Sequence, residues 1–397
     1  AGTGHSALFA VDAEVVRLGV TVRDRAEAVE LIHDGSRCYG AVARCLRTGE
    51  HSAIIAKATV IATGGHGRIY GQYTTNATIN EGMGAAIALN TGVVPLGNME
   101  AVQFHPTALS PSGILVTEGC RGDGGYLLDK DGYRFMVDAE PEKQELASRD
   151  VVSRHMAQRM RDGFGVETKH GPHLWLDIRH LGDEHLRTKL REVWEICRDF
   201  VGLDPAEELV PVRPTQHYSM GGVRVNAEGE AYNMAGLFAV GEASCWDMHG
   251  FNRLGGNSLA ETIVSGRLVG RRIAQTIGTG GVDVETRYAN EALQKAEERA
   301  AELLTRQGDG PGAYAIRDAM AEVMISKVGI FRNGDELEQA VRLQRGGSDP
   351  AALEAALEVL LRSARETATA RRLDGDAETA LLQSVVDAAA TLFDAEA

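Results

Sequence analysis

Hydrophobic positions in the first hundred residues predict one helix followed by strands. Apolar residues at helical spacing run from Leu8 to Leu18, and Gly19 follows them in the place of a helix C-cap. Three extended segments come next, separated by an Asp-Gly and a Thr-Gly dipeptide: residues 28–33, 38–47 and 53–63. We expect a β-meander or a pair of hairpins here. The third strand, apolar nearly throughout, is expected to be buried on both faces.

The pattern changes near residue 98 and again near residue 215. A short helix is predicted at 82–92, and loops, short strands and polar helices follow as far as 215. Strand character returns at 237–240, before an amphipathic helix at 257–277. After a glycine-rich linker at 278–281 the remainder is almost all helical. These changes agree with the length of 397 residues, which indicates two or three domains at roughly 100–200 residues each.

Composition and charge narrow the classes of function. The 46 glycines exceed the usual ~7% of residues, which favours tight turns and close approach of the backbone to a ligand. The 41 basic and 56 acidic residues give a net charge of −15, which argues against nucleic acid and anionic membrane surfaces as partners. No apolar run approaches the ~18 residues of a spanning helix.

Five cysteines are scattered along the chain without a CxxC pair, which argues against zinc and iron–sulfur ligation. We interpret them as buried or inert thiols of a reducing compartment. The sequence therefore predicts no metal site.

A buried strand feeds a glycine turn in the segment KATVIATGGHG, residues 57–67. In a doubly wound sheet a nucleotide lies at the carboxyl end of such a strand, and glycine allows the backbone to approach it. Thr63, Gly64 and Gly65 are therefore candidate cofactor-binding residues. A purely structural turn explains this motif equally well, and the chain has no G-x-G-x-x-G loop.

The segment MHGFNRLGGNSLAE, residues 248–261, places Arg253 among glycines just before a predicted helix. Asn257 or Ser258 is expected to cap that helix. The positive end of a helix suits a group that becomes negative, such as a reduced flavin ring or a phosphate.

Three further clusters and one helix carry candidate chemistry. Each histidine among them is also typical of a structural residue, and the helix arginine of a surface charge. Together they fit a small dianion, because Arg binds carboxylates through paired hydrogen bonds while His and Thr donate singly. This holds only where the fold brings them together. The residues are His105 in EAVQFHPTAL, Thr117, Glu118 and Arg121 in VTEGCRGDGG, Arg149 in ELASRDVVSRHM, and His217 in RPTQHYSMGG.

Six motifs in this order resemble the flavoprotein subunit of succinate dehydrogenase and fumarate reductase. They are FHPT followed at thirteen positions by Glu118, then TEGCRGDGG, ELASRD, RPTQHYSMGG, GLFAVGEAS and HGFNRLGGNSLAE. The resemblance runs from residue 1 to about 277 and continues more loosely through VGIFRNG, residues 328–334. ELASRDVVSR and ASCWDMHGFNRLGGNS look most similar to quinol:fumarate reductases with a dihaem cytochrome b anchor.

The resemblance implies an α/β fold with an α+β cap. A Rossmann-like FAD-binding domain would comprise residues 1–98 and 216–278, an inserted capping domain 99–215, and a C-terminal helical domain 279–397. The family's N-terminal segment, with its pyrophosphate glycines and the histidine that commonly bonds to FAD, has no counterpart here. We therefore expect an incomplete FAD-binding domain and no covalent attachment site in this chain. The family's Arg-rich C-terminal segment has no counterpart either, and a generic helix is expected at 377–393.

The resemblance also implies a reaction, the interconversion of fumarate and succinate. Hydride would pass from flavin N5 to the alkene carbon, and Arg149 would donate the proton, supplied through Arg121 and Glu118. The implied dicarboxylate clamp is His105, Thr117, His217 and Arg253. With the candidates found above, the cofactor-binding set is Thr63, Gly64, Gly65, Glu81, Glu242, Asn257, Ser258 and Leu259.

The partners implied are a C4 dicarboxylate, an iron–sulfur subunit and a membrane subunit that carries cytochrome b or binds quinone. The chain would lie peripherally on the cytoplasmic side of the membrane. Two alternatives stay open: a flavoenzyme resembling L-aspartate oxidase, and a non-catalytic fragment without a complete FAD site.

Overall fold

The first hundred residues form an exposed helix, a three-stranded meander and a short helix. The computed structural model describes residues 3–278, 285–305 and 312–347. The Asp-Gly and Thr-Gly dipeptides join antiparallel neighbours in the sheet, as predicted. The elements are α1 (Thr3–Arg17), β1 (Ala26–His33), β2 (Cys38–Cys45), β3 (His51–Ile55), β4 (Thr59–Ile61), α2 (Met83–Leu89) and β5 (Leu96–Gly97).

The next segment builds a four-stranded antiparallel sheet in the order β6-β9-β8-β7, with helices packed on it. Its buried core comes entirely from residues 109–212, which includes the apolar side of α7. Each fully buried Leu, Ile, Val or Met contributes about 1.5–3 kcal/mol to folding. The elements are β6 (Val102–Leu109), α3 (Gly119–Gly122), β7 (Tyr126–Leu128), α4 (Met136–Ala139), α5 (Arg149–Arg159), β8 (Leu174–Asp177), α6 (Asp183–Thr188), α7 (Arg191–Val201) and β9 (Val210–Ser219).

The chain then returns to the strands of the first hundred residues. Strand β11 pairs in parallel with β4, and β10 pairs with both β12 and β5. A second core, from residues 31–99 and 223–243, fills this part and shares no residue with the first. The elements are β10 (Gly222–Arg224), β11 (Leu237–Ala239), β12 (Ser244–Cys245) and α8 (Asn257–Thr276).

The strand predicted at 53–63 is in fact two strands in two sheets, so that expectation was wrong. β3 extends the meander, whereas β4 pairs with β11. The last hydrogen bond to the meander comes from the amide of Ala56, which donates to the Tyr39 carbonyl at 2.8 Å. The chain then bends at Lys57, whose side chain is half-buried, and this bend separates the two strands. Nor is burial two-sided, because Val60 is 41% exposed.

The described part of the C-terminal region is helical, as predicted. Its helices are α9 (Thr286–Thr305), α10 (Ala313–Lys327) and α11 (Gly334–Gly347). α10 packs on the 3-10 turn Gly67–Tyr70, and the carbonyl of Val328 accepts the Tyr70 hydroxyl at 3.0 Å. The helix expected at 377–393 lies outside the described residues.

All five cysteines are free thiols. Four are buried, and burial raises the pKa of each of them: Cys38, Cys120, Cys197 and Cys245. The prediction of buried thiols is confirmed for these four, while Cys45 is only half-buried. In the described ranges, no helix is long and apolar enough to cross a bilayer.

Candidate active site

Arg149 is the first residue of α5 and is held by a carboxylate from the loop after β6. Its Nε and Nη2 donate to the same oxygen of Glu118, Oε2, at 2.9 and 2.7 Å. The other oxygen, Oε1, lies 3.7 Å from Nη2 of Arg121. Side-chain exposure falls from 45% at Glu118 to 12% at Arg149 and 0% at Arg121. The three residues proposed as catalytic are thus one continuous chain of ion pairs.

Arg121 is fixed from inside the core of residues 109–212. It lies in α3, and its Nη1 donates to the carbonyl of Glu145. The Glu145 carboxylate, itself buried, accepts two hydrogen bonds from Arg134 at 2.9 and 2.6 Å. Burial lowers the pKa of Arg121, with the positive charge of Arg149 as a further cause.

Arg253 lies near Arg149, on the loop that leads to α8. Its side chain is buried, Nη1 donates to the Leu254 carbonyl at 2.8 Å, and Nε has no hydrogen-bond partner within the described residues. Its own carbonyl accepts Nε2 of Gln103 at 2.6 Å, and Arg149 Nη1 is 3.5 Å from Oε1 of that glutamine. Gln103 thereby links the backbone of one arginine to the guanidinium of the other.

A buried polar cluster supports the Arg253 guanidinium. The cation lies over the ring of Tyr218, 4.5 Å from its centroid. The Tyr218 hydroxyl donates to Oε2 of Glu261 at 2.6 Å, and the same oxygen is 2.8 Å from Nε2 of His249. The carboxylate fixes the ring, and the ring in turn fixes the arginine.

The two candidate histidines meet on neighbouring strands. His105 in β6 pairs in register with Thr215 in β9, two residues before His217. The imidazole rings are 5.1 Å apart at 64° to each other. Nδ1 of His105 lies 3.2 Å from both the amide nitrogen and the carbonyl oxygen of Thr107. The convergence that sequence spacing left open is therefore present for both histidines.

Burial and neighbouring positive charges keep these imidazoles neutral. Burial is the larger cause and lowers the pKa of His217 to about 3, with the charges of Arg149 and Arg253 as further causes. The pKa of His105 is also lowered, first by burial and then by His217 and Arg149. The pKa of Arg253 is lowered by burial and by the charge of Arg149. The two arginines repel each other, and a bound dianion would relieve the repulsion.

Thr117 lies in the loop between β6 and α3. Its side chain is exposed, and Oγ1 accepts the amide of Gly119 at 3.3 Å. The residue directly precedes Glu118, and the amide of Val116 bonds the Thr107 carbonyl at 3.0 Å. The hydroxyl is thus available to a ligand on the solvent side.

The cofactor candidates collect at one edge of the parallel β4–β11 pair. Both strands end there, β4 leading into Thr63, Gly64 and Gly65, and β11 into Glu242. A Cβ atom on Gly65 would lie 2.6 Å from Oε1 of Glu242. That oxygen also accepts the amide of Ser219 at 2.8 Å, and burial raises the Glu242 pKa to about 7. The carboxyl end of a parallel pair, closed by a turn that admits only glycine, fits a nucleotide cofactor.

The start of α8 adds an open helix terminus. The helix begins at Asn257 with Gly256 at the N-cap, where φ is +80° and no side chain caps the amides. The expectation that Asn257 or Ser258 is the N-cap was therefore wrong, because glycine takes the left-handed conformation there. Asn257, Ser258 and Leu259 form the first turn instead, in which the amides of Asn257 and Leu259 donate to the carbonyls of Leu254 and Gly256, both at 3.2 Å. The positive end of this helix suits an electron-rich group. With the Gly64–Gly65 turn, these features fit the flavin part of FAD.

Glu81 is exposed in the loop before α2. Its Oε1 accepts Nη2 of Arg317 from α10 at 2.7 Å. The proposed cofactor contact therefore has an ion-pair partner in the helical region.

Sequence reasoning missed several residues of the site. Gln103 was detectable, because it lies two positions before His105 and alternation places both on one face of β6. Asn252 joins the loop to α5 by donating to Asp150 at 2.7 Å. Thr75 lies 2.7 Å from His217 across 142 residues of sequence, and no local pattern indicates that contact.

Comparison with known proteins identifies the family. Residues 1–259 match the family model described as FAD binding domain. The fumarate reductase flavoprotein subunit of Helicobacter pylori strain J99 is 47% identical over 367 residues, covering 86% of this chain and 51% of that protein. The chain thus spans about half the length of the curated relatives it matches.

Solved structures agree with the sequence match. E. coli quinol fumarate reductase superposes with a TM-score of 0.75 at 36% identity, covering 87% of this chain and 63% of that one. A quinol-fumarate reductase with menaquinol molecules has the same TM-score at 38% identity, with 84% and 61% covered. The mixed α/β fold and its FAD-binding character are thereby confirmed, and the chain belongs to the FAD binding domain family.

Proposed function

We propose that this chain carries the catalytic site of a flavoenzyme that interconverts fumarate and succinate. The observation that carries the proposal is the continuous Arg149–Glu118–Arg121 chain beside Arg253 and the two neutral histidines. Its relatives named as fumarate reductase flavoprotein subunits support the same assignment.

A C4 dicarboxylate matches the charges of the cluster. Nε of Arg253 has no partner within the described residues, and Arg253 repels Arg149, so a carboxylate bound to Arg253 gains charge-assisted hydrogen bonds while the repulsion falls. Neutral His105 and His217 each offer one N–H, and Thr117 offers a hydroxyl. We assign these four residues to substrate binding.

Arg149 is assigned to proton transfer at the substrate carbon. Arginine ordinarily stays protonated, so it can act as an acid only towards a strongly basic carbon and with rapid return of a proton. Glu118 contacts two nitrogens of Arg149 and is 45% exposed, so it can take protons from solvent. Arg121, 3.7 Å from Glu118, is assigned to the same path of proton supply.

FAD, when bound, supplies the hydride. The residues assigned to hold it are Thr63, Gly64, Gly65, Glu81, Glu242, Asn257, Ser258 and Leu259. Fixed cations aimed at the charge that develops on the substrate are the main source of rate in such sites, and loss of one donor costs about 2.7–4 kcal/mol.

We further infer that the chain works in a respiratory complex. Relatives described as flavoprotein subunits, and a structure described as containing menaquinol, support an iron–sulfur subunit and a membrane quinone-binding subunit as partners. A peripheral position on the cytoplasmic side of the membrane follows from that assembly.

Turnover of alternative substrates by the FAD-loaded holoenzyme tests the function. We expect reduction of fumarate by a reduced dye and oxidation of succinate by an oxidised one, with L-aspartate oxidation at least 100-fold slower. Activity on L-aspartate alone would identify the oxidase alternative. A protein that stays colourless after FAD reconstitution would favour the non-catalytic alternative.

Arg253→Ala tests the dicarboxylate clamp. We expect the KM for fumarate to rise by roughly 10- to 100-fold, because a hydrogen bond to a charged group contributes about 1.5–3 kcal/mol. Steady-state kinetics measure it, with Arg191→Ala on the exposed side of α7 as the matched control. An unchanged KM would remove Arg253 from the clamp.

A further inference from the structure

The loop before α2 contacts the imidazole of His217. Oγ1 of Thr75 lies 2.7 Å from Nδ1 of that histidine. The contact joins two distant parts of the chain and belongs to neither the dicarboxylate clamp nor the Arg149 chain.

Thr75 is held rigidly where it makes this contact. Its amide donates to the carbonyl of Gln216 at 2.9 Å, and the amide of Gln216 donates to Tyr73 at 2.9 Å. Next along the loop, Nδ2 of Asn76 donates to the His217 carbonyl at 3.1 Å. The loop is thus fastened to β9 on both sides of the hydroxyl, which leaves the Thr75 side chain little freedom to move away.

A neutral imidazole carries one N–H, and its second nitrogen is an acceptor. Burial beside Arg149 and Arg253 keeps His217 in that neutral form. A ligand carboxylate only accepts hydrogen bonds, so it is bound when Nε2 carries the proton and repelled when Nε2 carries the lone pair. A hydroxyl that donates to Nδ1 selects the first tautomer.

We propose that Thr75 is a positioning residue that donates its hydroxyl to Nδ1 of His217 and so turns an Nε2–H donor towards the substrate carboxylate. This inference rests on the proposed function, because it assumes that a dicarboxylate binds at His217. The same contact also fixes the plane of the ring. One hydroxyl therefore decides both which ring nitrogen carries the proton and where that N–H points.

Three substitutions test the proposal in the FAD-loaded holoenzyme. Thr75→Val removes the hydroxyl at nearly constant shape, Thr75→Ala removes it without adding a methyl group beside the ring, and Thr75→Ser keeps it. Thr48→Val, in the exposed turn between β2 and β3, is the matched control. Two probes are used. Malonate, a dicarboxylate without a double bond, gives a dissociation constant from the flavin absorbance, and fumarate gives KM and kcat.

We expect Thr75→Val and Thr75→Ala to raise the malonate dissociation constant and the fumarate KM by about tenfold, equivalent to about 1.4 kcal/mol. The kcat for fumarate is expected to change less than threefold, because Arg149 is untouched. Thr75→Ser and Thr48→Val are expected to stay within twofold of the wild type. In a His217→Gln background, whose amide N–H needs no tautomer, Thr75→Val is expected to have no further effect.

Two outcomes would overturn the proposal. One is a malonate dissociation constant within twofold of the wild type for both variants that lack the hydroxyl. The other is an equal loss of malonate affinity in Thr75→Ser, or on adding Thr75→Val to the His217→Gln background. Either result would mean that Thr75 acts through its shape and not through its hydroxyl. Wild-type protein that binds malonate yet neither reduces fumarate nor oxidises succinate would contradict the proposed function instead, while the malonate comparison would still decide the role of Thr75.

Discussion

At the scale of single residues, a substitution at Arg149 distinguishes catalysis from ligand binding. We predict that Arg149→Gln lowers the kcat for fumarate by about 10²–10⁴-fold, the range of general acid catalysis. The malonate dissociation constant is expected to change less than fivefold, because Arg253 and the histidines stay in place. Stopped-flow turnover and flavin absorbance titration measure the two quantities.

The control for this substitution is Arg191→Gln, at an arginine that is 70% exposed and pairs only with Glu195 in the same helix among the described ion pairs. Its turnover is expected to equal that of the wild type. Turnover retained by Arg149→Gln would contradict the role of Arg149 as proton donor.

The buried carboxyl of Glu242 makes the stability of the fold depend on pH. Burial raises its pKa from 4.5 to about 7, so between these values the folded protein binds a proton that the unfolded chain has released. Stability is therefore lost as pH rises through this window. We predict that Glu242→Gln, whose amide oxygen can still accept the Ser219 amide, is more stable than the wild type at pH 8 by about 2–3 kcal/mol, with little difference at pH 4.5.

Urea unfolding of the FAD-free protein at the two pH values measures this effect. Glu228→Gln, at an exposed glutamate in the turn after β10, is the control and is expected to be neutral at both. An equal effect of Glu242→Gln at pH 4.5 and pH 8 would show that titration of this carboxyl is not the cause.

At the scale of elements, the turn after β4 requires glycine because of what lies beside it. A Cβ atom on Gly65 would meet Oε1 of Glu242 at 2.6 Å and Oγ of Ser219 at 2.9 Å. We predict that Gly65→Ala lowers the free energy of unfolding by about 1–3 kcal/mol, the usual cost of overpacking, and weakens FAD binding. Urea unfolding and flavin fluorescence titration measure the two effects.

The matched control is Gly266→Ala within α8, where a Cβ atom meets nothing within 4 Å. There we expect a gain of roughly 0.5–1 kcal/mol, because alanine loses less backbone freedom than glycine in a helix. Equal effects at the two glycines would contradict the steric account of the turn.

Local pattern predicted the elements whose causes are local. The dipeptide turns of the meander, the short helix α2 and the long helix α8 follow from spacing alone. The split between β3 and β4 did not, because pairing with β11 is a contact across almost 180 residues. The N-cap of α8 was misplaced because Ser and Asn are stronger capping signals than the glycine that takes the position.

The candidate site was predictable as a set of residue types and not as an arrangement. His105 and His217 were identifiable from their motifs, but their approach depends on the β6–β9 register. Thr75 and the Tyr218–Glu261 contact depend on tertiary packing that no short window of sequence contains.

At the scale of the whole molecule, a third buried cluster joins the helical region to the site. Tyr70, Phe104, Met324, Val328 and Ala340 pack together, and the Tyr70 hydroxyl donates to the Val328 carbonyl. We predict that Tyr70→Phe lowers the free energy of unfolding by about 1 kcal/mol, because a buried acceptor loses its donor. Thermal unfolding measures it, and an effect smaller than that of the 81% exposed control Tyr314→Phe would contradict the role of this contact.

The two main cores share no residue, and the candidate site lies along the boundary between them. Across that boundary Asn252 bonds Asp150 and Gln103 bonds the Arg253 carbonyl, through groups that water can satisfy almost as well. Parting the two bodies there costs hydrogen bonds that solvent replaces and the contact of Phe104 with Tyr70 in the third cluster, while the two main cores keep their own apolar packing. Under the proposed function, a dicarboxylate held by His105 on one side and by Arg253 on the other would add a further bond across this boundary.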